Sequence, residues 1–133
     1  MPQLQHAQTA PTPRQLSGAA LRTFFNIAEA WKLTVEQQRD LLGAIPNSTF
    51  FKWKKDTDAV SLPKDTLERI SYILGIFKSL QILLPRPEQA DTWIKRPNDA
   101  PLFGGKSALE RMLSGNVSDL FVVRQYLDAQ RGW

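Results

Sequence analysis

The run from Leu62 to Leu84 constrains the fold more than any other stretch. Leu67, Ile70, Leu74, Phe77 and Leu84 recur at helical spacing, and Ile73, Ile76, Leu80 and Leu83 widen the stripe. A helix apolar over so much of its surface must be packed on two sides. It is expected to be a spine shared by the segments before and after it. Ser61-Leu62-Pro63 opens it, because proline is tolerated in a first helical turn, and Asp65 and Glu68 suit the positive end of the helix dipole. Gly75 inside it permits close approach of a neighbouring helix, and Pro85-Arg86-Pro87 ends it.

Upstream, residues 1–15 are rich in proline and glutamine and hold His6, and they read as a disordered tail. Ala20, Leu21, Phe24, Phe25, Ala28 and Trp31 then follow helical spacing, which predicts a helix over 17–31. Thr34-Val35-Glu36-Gln37 is a capping box opening a second helix to Leu42, with Val35, Leu41 and Leu42 inward. Gly43 to Pro46 turns the chain, and Asn47 or Ser48 is expected to cap a third helix ending near Lys55. Two short helices joined by a tight Gly-containing turn make a helix-turn-helix. Phe50 and Trp53 lie three apart and should face the core, leaving Ser48, Thr49, Lys52 and Lys55 outward with Lys54 on the flank. Short hydroxyl side chains reach base edges in a major groove, and ammonium groups reach phosphates. Gln37 and Gln38, at the start of the second helix, are placed to touch the duplex backbone. A merely solvated helical face has the same pattern. Residues 54–63 read as a polar connector.

Downstream, Glu88 to Lys95 makes a short helix carrying Trp93 and Ile94, and Arg96 to Asp99 breaks it. Ala100 to Ser107 lacks only the leading glycine of a phosphate-binding P-loop. That loop must follow a buried strand, however, and Pro101 sits where the backbone must be free, so the reading is a Gly-Gly turn feeding a helix. Two short helices follow, broken at Ser114-Gly115. The first, over about 106–113, turns Leu109, Met112 and Leu113 inward. The second, capped by Asn116, has Val117, Leu120, Phe121, Arg124 and Leu127 on one face with Val123 beside it. Arg124 interrupts that face and needs a charge-assisted bond, within the chain or across an interface. The sequence ends Arg131-Gly132-Trp133, a large aromatic that either folds back or meets a partner.

No segment alternates with period two, so the fold class is all-α. The expected organisation is a tail over 1–15, a helix-turn-helix domain over 16–60, a long linking helix over 61–86 and a small helical domain over 87–133. The chain has no cysteine and one histidine, in the tail, so no Ser/His/Asp or Cys/His set exists. No catalytic, cofactor-binding or metal-binding residues are expected. No run reaches the roughly 18 apolar residues of a membrane helix. The first residues lack the charged start and apolar centre of a signal peptide, so the expected location is cytoplasmic. The net charge of +4 is spread evenly, with seven basic and five acidic residues in 1–60 and ten and eight in 61–133. DNA contact must therefore rest on a local patch.

Trp93-Ile94-Lys95-Arg96-Pro97-Asn98, then Leu102 to Leu113, then Gly115, then Val123 to Ala129 resemble the C-terminal toxin-binding domain of the Xre/MbcA/ParS antitoxins. The shared order is Trp, Pro-Asn, a Gly turn, a Leu-rich helix, Gly and a last helix. The upstream helix-turn-helix and long helix are similar to the Xre-like half, so the resemblance spans roughly 17–133. It implies a RES-domain toxin as partner, similar to ADP-ribosyltransferases, that consumes NAD or transfers ADP-ribose from it. It implies that the antitoxin's C-terminal part blocks the toxin's NAD pocket and that the Xre-like half represses its own operon. A homodimer is expected. Arg124, Tyr126, Asp128, Arg131 and Trp133 are the expected toxin contacts. Asp128 and the terminal carboxylate would mimic pyrophosphate charge, Trp133 or Tyr126 would fill the space of a ring, and Arg124 and Arg131 would pair with toxin carboxylates. The competing reading is a transcription regulator whose C-terminal half only dimerises.

Overall fold

The spine forms as helix α4, Lys64–Leu83, in a computed structural model that describes residue 10 and residues 12–132. The other α-helices among the described residues are α1 (Pro13–Ala30), α2 (Val35–Leu41), α3 (Asn47–Lys55), α5 (Pro87–Thr92), α6 (Ala108–Met112) and α7 (Val117–Gln130). Two 3₁₀ turns, Thr57–Ala59 and Trp93–Lys95, complete the set, and the described residues hold no strand, only an isolated bridge between Pro97 and Ser107. The all-α expectation holds.

As expected, α4 is packed on more than one side, by α1, α5 and α7. The line of full burial differs from the predicted one. Ile70, Ile73, Ile76 and Leu80 are buried outright, while Leu67, Leu74, Phe77, Leu83 and Leu84 are only partly covered. Three of the four widening residues, Ile73, Ile76 and Leu80, thus form the centre with Ile70 of the predicted stripe, because a helix clasped between neighbours buries two stripes and the line where they merge. Arg69 is buried with them. Its guanidinium donates to Asp65 Oδ2 at 2.9 Å and to the Gly115 carbonyl at 2.9 Å, which ties the start of α4 to the α6–α7 junction.

The first helix starts at Pro13, before the predicted position. Thr12 accepts from the Gln15 amide at 3.1 Å, and the Gln15 side chain accepts from the Thr12 amide at 2.8 Å. Proline in the first turn costs nothing there, since its missing N–H would have no helical partner. Of the predicted tail, Pro13 to Gln15 are therefore helical, and His6 lies outside the described residues. At its other end α1 closes on Trp31, with Lys32 in the left-handed region at φ +53°. The Lys32 amide reaches Glu29 O and the Leu33 amide reaches Ala28 O, so the last carbonyls of the helix are satisfied.

The Thr34–Gln37 capping box forms as read. Leu41 and Leu42 are buried as expected, whereas Val35 does not turn inward; it is an exposed first-turn residue, and Gln38 is buried in addition. The turn carries two positive φ angles, at Gly43 and Ala44, and Arg39 clamps it by donating from Nε to Ile45 O at 2.9 Å. The predicted side-chain cap at Asn47 or Ser48 is absent: Pro46 is the cap residue, and Asn47 is already helical. The connector is also more ordered than its composition suggests. Its 3₁₀ turn packs on α1, Asp58 pairs with Arg22, and the Leu62 amide donates to Ser17 Oγ at 2.7 Å.

The P-loop look-alike is a closed polar turn. Asn98 Oδ1 accepts from the Ala100 amide, Asn98 O accepts from the Gly105 amide, and Gly104 and Gly105 both have positive φ. Ser107 then caps α6 in a capping box with Glu110. Asn116 occupies the cap position of α7 without a side-chain cap bond. Asp119, in the first turn of α7, instead gathers Ser114, Asn116 and Arg111, and Arg111 also donates to Leu102 O at 2.8 Å. These contacts hold the Asp119 carboxyl below its ordinary value of 3.8, the Ser114 hydroxyl bond first among them. A carboxyl depressed in the folded state stabilises the fold above its unfolded pKa and loses that contribution as pH falls through the folded value. Asp119→Asn should therefore lower the melting temperature at pH 7. The gap from wild type should narrow steadily as pH falls below about 4 in thermal melts across pH.

Candidate functional site

Two surfaces carry the residues singled out in the sequence. The first is α3. Phe50 and Trp53 are buried, as expected, and Ser48, Lys52 and Lys55 are exposed with Thr49 partly so. The first turn holds no acid, and the last turn holds Lys52, Lys54 and Lys55. Lys54 sits aside from this face. Its ammonium lies 5.6 Å from the Phe25 ring centroid and 5.9 Å from that of Phe50, on the seam between α1 and α3.

The two glutamines of α2 are otherwise engaged. Gln37 is part of the capping box, its Oε1 held by the Thr34 amide at 2.9 Å. Gln38 is 7% exposed, and its Nε2 donates to Leu33 O at 3.1 Å. It braces the α1–α2 link from inside and does not face outward as predicted. Phe51 was missed. It is 49% exposed and shares the outward face of α3 with Ser48, Lys52 and Lys55. The Phe50-Phe51 pair was the available signal, since Phe51 lies about 160° around the helix from Trp53 and is turned outward once Phe50 and Trp53 face the core.

The second surface is the α4–α7 seam. Arg124 lies directly over Gly75; a Cβ at that glycine would come within 2.5 Å of Arg124 Nε. The close approach predicted for Gly75 is thus made by the arginine of α7. Arg124 Nε also stands 3.6 Å from Asp128 Oδ2. Asp128 Oδ1 accepts from Ser79 Oγ at 3.1 Å, and Arg131 donates to the same Ser79 Oγ at 3.1 Å while standing 3.9 Å from Asp128. Tyr126 stacks on Trp93 at 6.4 Å and meets Phe103 edge-on at 5.3 Å, closing an aromatic cluster within the C-terminal helices.

The four described residues expected to reach into a partner are therefore turned onto their own chain. Asp128 and Arg131 grip α4, Arg124 covers Gly75, and Tyr126 belongs to the packing of its own domain. α7 lies along α4 with Leu120, Val123 and Leu127 buried and carries its 124–131 face against Gly75 and Ser79, and the Arg124 and Asp128 side chains stay partly exposed, at 36% and 26%. Trp133 lies outside the described residues. Phe121 is an exposed aromatic beside them: it is 44% exposed and meets the partly buried Tyr72 edge-on at 5.6 Å, and Tyr72 donates to Glu68 at 2.9 Å.

The family model of the antitoxin Xre-like helix-turn-helix domain matches residues 11–75, and that of the antitoxin Xre/MbcA/ParS C-terminal toxin-binding domain matches residues 79–132. The chain belongs to the Xre/MbcA/ParS antitoxin family. A protein of Sinorhizobium fredii described as "Uncharacterized protein y4oB" is 55% identical over 114 residues, which cover 86% of this chain and 85% of that protein. No solved structure matches. In this antitoxin the two matches meet inside α4, the first ending at Gly75 and the second starting at Ser79. Arg124 and Asp128 of the toxin-binding half thus touch the helix-turn-helix half's last residue and their own half's first. Both matches describe binding modules. No group of three or more His, Cys, Asp or Glu side chains comes together among the described residues, and none of their helices is long and apolar enough to cross a membrane.

Proposed function

We propose that this antitoxin neutralises a RES-domain toxin, one that consumes NAD or transfers ADP-ribose, by closing its NAD pocket with the C-terminal end of α7. The observation that supports this is the brace of Ser79, Asp128 and Arg131, which fixes where α7 ends. A pocket that binds pyrophosphate is basic, and the C-terminal end of a helix presents the negative pole of its dipole. Gly132, at φ +84°, terminates α7, and Gln130 and Gly132 are exposed beyond the brace. In this reading Asp128 and Arg131 are positioning residues, and the inserted group is the helix end with Trp133. Coexpression with the RES-domain toxin of a neighbouring reading frame should give one complex on size exclusion; separate elution of the two chains refutes it.

The helix-turn-helix is the operator reader in the same proposal, working in the cytoplasm as a homodimer that sets two α3 helices one DNA turn apart. Its contacts are Ser48, Thr49, Lys52 and Lys55, without the buried Gln38. Lys52→Ala with Lys55→Ala should lower the slope of log K against log salt by about 3.6, the contribution of four phosphate contacts, two from each α3 of the homodimer, without changing toxin capture. Titration of the upstream DNA at several salt concentrations checks this. An unchanged slope removes α3 from the DNA.

A further inference from the structure

Among the large apolar side chains of α3, Phe50 and Trp53 are buried and Phe51 is not. At about 100° per residue Phe51 falls about 40° from Lys55 and about 60° from Ser48, on the side of α3 turned away from Trp53, with Lys52 at the far edge of that side. Its ring meets Phe50 edge-on at a centroid distance of 5.2 Å, so it is supported from behind. The neighbours on that face divide by chemistry. Ser48 can donate and accept hydrogen bonds, and Lys52 and Lys55 supply positive charge. Phe51 does neither, and it contributes little to the interior.

A partner for this face must be anionic at its rim and apolar at one point within. Duplex DNA has that combination. Its phosphates flank the groove, and the one apolar feature on the major-groove edge of any base pair is the C5 methyl of thymine. The geometry assigns Phe51 as a specificity-determining residue that packs against a thymine methyl in each operator half-site. This rests on the DNA reading of α3 given above and adds to it what sequence the helix selects.

The test uses the full chain and its own upstream DNA, prepared once with thymine and once with uracil throughout. The two duplexes have the same hydrogen-bonding edges and charge and differ by the methyl. Wild type and Phe51→Ala are titrated against both at about 100 mM salt. Removing one buried methyl contact weakens binding about fourfold, so wild type should bind the uracil duplex at least fourfold more weakly. Phe51→Ala should bind both duplexes alike, near the level of wild type on uracil DNA. Equal binding of both duplexes by wild type overturns the assignment while leaving the DNA reading in place. So does a thymine preference that survives in Phe51→Ala, since it would then come from duplex shape. No binding of the thymine duplex by wild type removes the DNA reading and the assignment with it. If Phe51→Ala keeps its DNA affinity but loses the toxin complex, the ring serves a protein interface and the assignment falls.

Discussion

Trp31→Ala should cost about 3–5 kcal/mol of folding stability, the largest loss expected from any single side chain of this protein. Trp31 is 1% exposed, the bulkiest of the fully buried residues, and sits where α1 ends. Its ring packs against Phe77 of α4 at 6.0 Å, so the indole spans the junction between the first helix and the spine. An alanine there leaves a cavity lined by residues held in two separate helices, which have little freedom to collapse into it. Domains of this size are stable by only about 5–15 kcal/mol. The melting temperature should fall by roughly 10–20 °C. Trp31→Phe should cost much less. It keeps a ring against Phe77 and removes an indole N–H that has no acceptor among the described side chains and backbone. Thermal and denaturant unfolding of both variants check this; a loss below about 1 kcal/mol for the alanine variant would contradict the packing described.

Removing Arg131–Trp133 should abolish neutralisation of the toxin and leave the helical fold intact. The cut falls beyond Leu127, which is 2% exposed and is the last buried residue of α7. It also falls beyond Tyr126 and its contacts with Trp93 and Phe103. The shortened chain keeps every element that packs α7 on α4 but loses the arginine that holds Ser79 and the segment that follows. A longer cut at residue 124 would not be informative, because it would strip Leu127 and Tyr126 and weaken the fold itself. Growth of cells expressing toxin with either full-length or shortened antitoxin reads neutralisation, and far-ultraviolet circular dichroism reads the fold. Full rescue of growth by the shortened chain would mean that the blocking surface lies elsewhere, with exposed Phe121, packed on Tyr72, the next place to look.

Helices and turns were legible in the sequence because they depend on local chemistry. Thr34 and Gln37 announce a capping box whatever surrounds them, and the box forms. The spine from Leu62 was legible because its apolar density leaves no other option. Which of its residues lie deepest was not, since that depends on where α1, α5 and α7 lie around it. The outward face of α3 followed from Phe50 and Trp53, and it holds. The role of Gln38 did not follow, because its bond to Leu33 O depends on how the α1–α2 link folds over it. The same limit applied to the end of the chain. Arg124, Asp128 and Arg131 look like a charged projecting segment when read along α7. Their partners, Gly75 and Ser79, are some fifty residues away in α4 and come into reach only once the two helices are packed.

The most direct measurement of the proposed pocket blocking is NAD consumption by the RES-domain toxin proposed as partner with rising amounts of full-length antitoxin, run beside a binding assay on the same samples. Pocket blocking predicts that NAD loss stops as complex forms, the two curves superimposing, and that the chain lacking Arg131–Trp133 stops neither NAD loss nor toxin action. A stable complex that consumes NAD at the rate of free toxin would contradict it.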